Sequence, residues 1–159
     1  MESSNDFSVI PLGTVSPYPK DDLNCPGFLV QNKKEKILLD CGPGIVKSLK
    51  EKIKVLIPEK EQKTSFAFDY LTNLQESYLD INTYNETTKF NYGSMEISFA
   101  LNPHNIKTYS TKIKCNNKML VYSSDTGYEF DHLDLFAQNA DLLICESTFL
   151  HNQKGDNNN

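Results

Sequence analysis

The run Met95-Glu96-Ile97-Ser98-Phe99-Ala100-Leu101 places an apolar side chain at every second position. A period of two sets one row of side chains on a core and the other toward water, which a helix turning every ~3.6 residues cannot do. The run is therefore a half-buried strand, and the rest of the chain repeats the theme. Residues 108–114 and 118–123 flank Asn116-Asn117, a pair suited to a tight hairpin turn. Residues 27–31 and 36–40 form a second hairpin around the polar turn 32–35, and residues 7–12 alternate as a first strand. Ile53-Lys54-Val55-Leu56-Ile57-Pro58 reads as a strand ended by its proline, and 141–145 as a short, strongly apolar one. The polar stretch 81–91 offers only edge-strand pieces.

Helical signals are fewer. Gly42-Pro43-Gly44 breaks the strand before it, and a lysine-rich helix over 45–52 follows. Phe66, Tyr70, Leu71 and Leu74 recur at helical spacing within 64–77. Asp131 caps a short helix whose Leu133, Phe136 and Ala137 share a face. Strand hairpins first and a mixture of strands and helices after them give an α/β or α+β class. At 159 residues the chain is one domain, residues 1–159, and the tail from Gly155 reads as disordered.

A net charge of −5 gives no general basic face for nucleic acid. The lysine-rich segment 47–63 is either a local phosphate-binding patch or a solvated face of mixed charge. No apolar run approaches the roughly 20 residues that a bilayer requires, so no membrane partner is expected. Met1-Glu2-Ser3-Ser4-Asn5-Asp6 is no secretory signal, and a cytoplasmic location is the expectation. Cys25, Cys41, Cys115 and Cys145 lack C-x-x-C spacing, and Cys41 and Cys145 adjoin apolar strands where free cysteines behave as small buried hydrophobes.

Two blocks carry a resemblance. The first is Lys36-Ile37-Leu38-Leu39-Asp40-Cys41-Gly42-Pro43-Gly44. The second runs from His104 through Tyr122-Ser123-Ser124-Asp125-Thr126 to Glu146-Ser147-Thr148. Together they resemble the flanking motifs of the metallo-β-lactamase superfamily, especially its ribonuclease Z-like and phosphodiesterase-like branches. The resemblance implies a metallo-β-lactamase-like αββα four-layer sandwich. It implies hydrolysis of phosphodiesters, with RNA among the substrates, by a hydroxide activated on two zinc ions, or on manganese or iron. His104, which precedes the strand-like Thr108-Tyr109-Ser110-Thr111-Lys112-Ile113, matches the family's lone histidine ligand. Asp125 matches the aspartate that bridges two metals, as the two oxygens of a carboxylate allow. Asp40 and Glu146 match residues that support the ligands from behind. Each has a plainer reading as well: Asp40 as a strand-end aspartate, His104 as a surface loop histidine, Asp125 as a turn residue.

The family's His-x-His-x-Asp-His motif is absent, and His104, His132 and His151 are the chain's histidines. His151 does not match the family's later histidines well, and His132 reads as a surface residue. Direct ligands thus reduce to His104 and Asp125. Zinc takes about four ligands, about three of them from protein at a catalytic site. The sandwich is accordingly expected to be incomplete, with a deletion near residues 50–55 and a shortened C-terminus. Lost strands leave open edges, which favours a homodimer. A catalytically inactive domain serving as a binding or dimerisation module is the alternative to an enzyme.

Overall fold

The computed structural model describes residues 7–14, 25–33, 35–40, 45, 53–58, 79–127 and 131–145, with backbone alone for 53–58, 79–81 and 131. Two five-stranded sheets make up its frame. The first contains β1 (Ser8–Gly13), β2 (Gly27–Asn32), β3 (Glu35–Leu39), β4 (Ile53–Pro58) and β5 (Leu79–Tyr84), in that spatial order. β1, β2 and β3 pair antiparallel, whereas β3–β4 and β4–β5 are parallel. The second contains β6 (Lys89–Tyr92), β7 (Met95–Leu101), β8 (Tyr109–Cys115) and β9 (Lys118–Tyr122) as an antiparallel meander. β10 (Leu142–Ile144) is added parallel to β9, after the crossover that contains α1 (Asp131–Phe136).

Alternation decides which faces meet. Met95, Ile97 and Phe99 of β7 and Tyr109, Ile113 and Cys115 of β8 point inward, while Glu96 and Lys114 are exposed. They join Leu120 and Tyr122 of β9 and, from the first sheet, Val30, Ile37, Leu39 and Tyr84, in one core cluster. Each large apolar side chain so buried contributes about 1.5–3 kcal/mol. Aromatic rings cross between the sheets. Tyr84 stacks on Phe99 at 3.8 Å between centroids and meets Tyr109 edge-on at 5.4 Å, and Phe28 lies 5.3 Å from Tyr122. Leu38, on the other face of β3, is also fully buried, as is Ile45, which fills the space left by Gly27.

The expected strands are present, and the polar stretch 81–91 resolves into most of β5 and part of β6, each at an edge of its own sheet. α1 buries Leu133 and half-buries Phe136, and Ala137 just beyond its end is half-buried too, as the spacing predicts. Two expectations change. Cys145 is exposed, because β10 is an edge strand whose apolar residues are themselves largely uncovered. Cys25 and Cys115 are buried instead, and all three are free thiols. His132 is half-buried on α1 rather than a surface residue, its ring near that of Phe136. The Phe136 ring also receives the Lys112 ammonium at 4.2 Å, and burial holds the Lys112 pKa below its ordinary value. The expected helices over 45–52 (Ile45 apart) and 64–77, the segment 47–63 outside β4, Cys41 and the tail from Gly155 lie outside the described residues. No helix among the described residues is long and apolar enough to cross a membrane.

Candidate functional site

β7 and β9 both run antiparallel to the strand between them, so they point the same way and their following loops emerge at one end of the sheet. Those loops carry His104 and Asp125. A buried asparagine fastens them together. Asn102, the first residue after β7, is 5% exposed and uses both ends of its side-chain amide. Its Nδ2 donates to the carbonyls of Ser123 (2.7 Å) and Asp125 (3.0 Å). Its Oδ1 accepts from the Ser110 N–H (3.2 Å) and from the Ser110 hydroxyl (2.7 Å). Thr108 adds a further bond across the junction, its hydroxyl donating to the Asp125 carbonyl at 2.6 Å. The Gly127 N–H donates to the Pro103 carbonyl at 2.6 Å, an approach so close that a Cβ on Gly127 would overlap that oxygen.

The two side chains at this junction face outward. His104 is exposed, and the Ile106 N–H points at its Nδ1 from 3.3 Å. The Asp125 residue is exposed as well, while its backbone carbonyl takes the two bonds just described. Ser124, between the pinned carbonyls, has φ +55°. A non-glycine residue held in this region signals a loop constrained by its surroundings.

Asp40 approaches from the facing sheet. It follows β3 directly and adopts φ +62°. The Tyr122 hydroxyl, at the end of β9, donates to its Oδ2 at 3.0 Å and so ties the two sheets together at the site end. Burial raises the Tyr84 pKa well above the ordinary phenol value, and the charges of Asp40 and then Tyr109 raise it further. Burial likewise raises the Tyr109 phenol, whose hydroxyl donates to Glu86 Oε2 at 3.1 Å. Asp40 thus sits at the mouth of a tyrosine-lined seam between the sheets.

Of the four residues expected from sequence, the fold brings His104 and Asp125 onto loops bonded to each other, and anchors Asp40 at the same end through Tyr122. Glu146 and His151 lie outside the described residues. His132 is on α1; its Nε2 is buried and has no hydrogen-bond partner among the described residues. Among the described residues no group of three or more His, Cys, Asp or Glu side chains is placed to hold a metal ion. His104 and Asp125 give two donors against the roughly three protein ligands that catalytic zinc takes. These residues do not by themselves fit a zinc centre, mononuclear or dinuclear. Sequence reasoning passed over Asn102 altogether; its one local signal is an amide immediately ahead of a proline and the candidate histidine.

No protein-family model matches the chain. Over 43 residues it is 49% identical to ribonuclease Z of Bradyrhizobium sp. (strain ORS 278), a match covering 27% of this chain and only 14% of that relative's length. Solved structures match far more of it. The metallo-β-lactamase fold protein YhfI from Bacillus subtilis superimposes with a TM-score of 0.75 at 20% identity, over 92% of this chain and 73% of that one. Zn(2+)-bound PqqB from Methylobacterium extorquens gives 0.65 at 11% identity, over 88% and 72% of the two chains. The short form of human tRNase Z gives 0.62 at 15% identity, over 85% and 76%. The chain therefore has the metallo-β-lactamase fold, as its flanking motifs implied.

Proposed function

We propose that this chain is a hydrolase of the metallo-β-lactamase superfamily that cleaves phosphodiester bonds in the manner of ribonuclease Z, with RNA as its substrate class. His104 and Asp125 stand at the reacting centre and Asp40 supports it from the facing sheet. The observation that carries this reading is the bonded junction of the β7 and β9 loops, which holds a histidine and an aspartate at one end of the sheet. The likeness to a ribonuclease Z segment and to human tRNase Z supports the choice of substrate. Zinc, manganese or iron is the cofactor that this reading implies, and two donors do not hold one. The remaining donors then come from residues outside the described set or from a second copy of the chain in a homodimer. A cytoplasmic location belongs to the same reading, since free thiols at Cys25, Cys115 and Cys145 suit a reducing compartment.

The test is metal analysis of the purified chain, followed by assays on bis(p-nitrophenyl) phosphate and on a 3′-extended transfer RNA. Retained metal and hydrolysis are expected, with His104→Ala and Asp125→Ala each losing more than the roughly 10–100-fold that removing a ligand's supporting partner costs. Hydrolysis at undiminished rates in both variants removes them from the site. Neither metal nor hydrolysis in the wild type overturns the enzyme reading and leaves a non-catalytic binding module.

A further inference from the structure

The Asn102 side chain touches the β7, β8 and β9 ends at once, and the Ser110 hydroxyl beside it reaches both Asn102 Oδ1 (2.7 Å) and the Ser123 carbonyl (3.1 Å). The Asn102 amide is buried; Nδ2 donates to the Ser123 and Asp125 carbonyls and, at 3.4 Å, to the Thr108 hydroxyl, and Oδ1 accepts twice from Ser110. A buried amide satisfied on both ends is geometrically demanding, since neither end can be reversed without setting like groups against each other. The bonds are also unequal in meaning. Ser110 lies in β8 and would hold its place through the strand ladder in any case. Ser123 and Asp125 belong to the loop beyond β9, where Nδ2 and the Thr108 hydroxyl grip the backbone around the exposed Asp125. Two residues on from Asn102 is His104 itself.

We propose that Asn102 is a positioning residue, whose Nδ2 donors fix the Asp125 loop relative to the His104 loop while its Oδ1 merely anchors the amide to β8. The inference rests on the hydrolase reading for its functional meaning, but its structural content is measurable without any turnover.

Two variants separate the amide's two ends. Asn102→Asp keeps the shape and the acceptor and turns the donor end into an oxygen facing two carbonyls. Ser110→Ala removes the hydroxyl that donates to Oδ1, together with its longer contact to the Ser123 carbonyl (3.1 Å), and keeps the Nδ2 bonds to Ser123 and Asp125. Amide hydrogen exchange in the two variants is compared at Gly127, which bonds across the junction, and at Ile113, in the middle of β8. In Asn102→Asp, Gly127 is expected to exchange at least about tenfold faster than any change at Ile113 accounts for, a local opening distinct from global unfolding. The carbon signals of the His104 ring are expected to shift in the same variant. In Ser110→Ala, Gly127 and Ile113 are expected to change in step and the His104 signals to stay in place.

Gly127 tracking Ile113 in both variants, with His104 unmoved, overturns the proposal and leaves Asn102 a general packing residue. If Asn102→Asp does not fold, Asn102→Ser, which is too short to reach both loops, takes its place with the same expectations. Absence of phosphodiester hydrolysis in the wild type overturns the hydrolase reading alone; the exchange comparison still decides the role of Asn102.

Discussion

Asp141 shows how one side chain fixes the start of a strand. Its Oδ1 accepts from the Lys118 ammonium at 2.6 Å and its Oδ2 from the Met119 N–H at 2.8 Å, so one carboxylate clasps β10 to the beginning of β9. The hydrogen bond from Lys118 and then that from the Met119 N–H hold its carboxyl below the usual carboxylate range. A group whose pKa is depressed on folding stabilises the fold above its unfolded pKa, near 4 for about any aspartate, and that stability fades as pH falls through the folded value. Asp141→Asn is expected to flatten the acid side of the stability–pH curve, below about pH 4, relative to wild type. Urea unfolding across that range checks it, and parallel acid limbs for the two proteins would sink the idea. The same scale shows what a sequence can disclose of a site. Asp40, His104 and Asp125 stand out because they fall at matching positions of the two flanking motifs, whereas each alone reads as an ordinary loop or turn residue. Asn102 does not stand out. Its role comes from three strand ends meeting around it, and nothing local distinguishes a bridging asparagine from a loop asparagine.

Elements divide in the same way between local and distant causes. The β8–β9 hairpin is legible because Asn116 and Asn117 themselves determine the turn, with φ +49° and +61°. Asparagine tolerates the left-handed region, where other L-residues lose about 1–2 kcal/mol, more for branched side chains. Asn117→Val is expected to destabilise the chain by about that amount, and Asn117→Gly to be neutral or mildly stabilising. Urea midpoints decide the matter, and a valine variant as stable as wild type would show that the turn does not hold this geometry in solution. β5 and β6 are the contrary case. The polar stretch that forms them shows no clean alternation, and its two halves pair with different sheets, β5 with β4 and β6 with β7. Such pairings are set by partners along the fold rather than by neighbours in sequence, so local reading yields no more than edge pieces there. The strongly apolar β10 misled for a related reason: hydrophobicity is legible, but whether anything covers it is not.

That uncovered edge becomes decisive for the molecule as a whole. Among the described residues β10 pairs with β9 on one side and is the last strand of its sheet. Its Leu142 and Leu143 are 45% and 44% exposed, and since consecutive strand residues point to opposite faces, both faces of the edge present apolar surface. Edges of this kind invite pairing with another chain unless charge or a covering element protects them. On the proposed reading a second copy of the chain meets this edge and also brings donors that His104 and Asp125 lack. Sedimentation velocity is expected to find a species of twice the 18.1 kDa chain mass that dissociates on dilution. Leu143→Lys, which places charge on the edge, is expected to shift the equilibrium toward monomer, and metal content is expected to fall with it if donors are shared across the interface. A monomer at every concentration would remove the dimer, and a dimer whose metal content ignores Leu143→Lys would separate assembly from chemistry. In either event any further metal donors must lie within the same chain, and the search for them narrows to the residues flanking the two bonded loops and the end of β3.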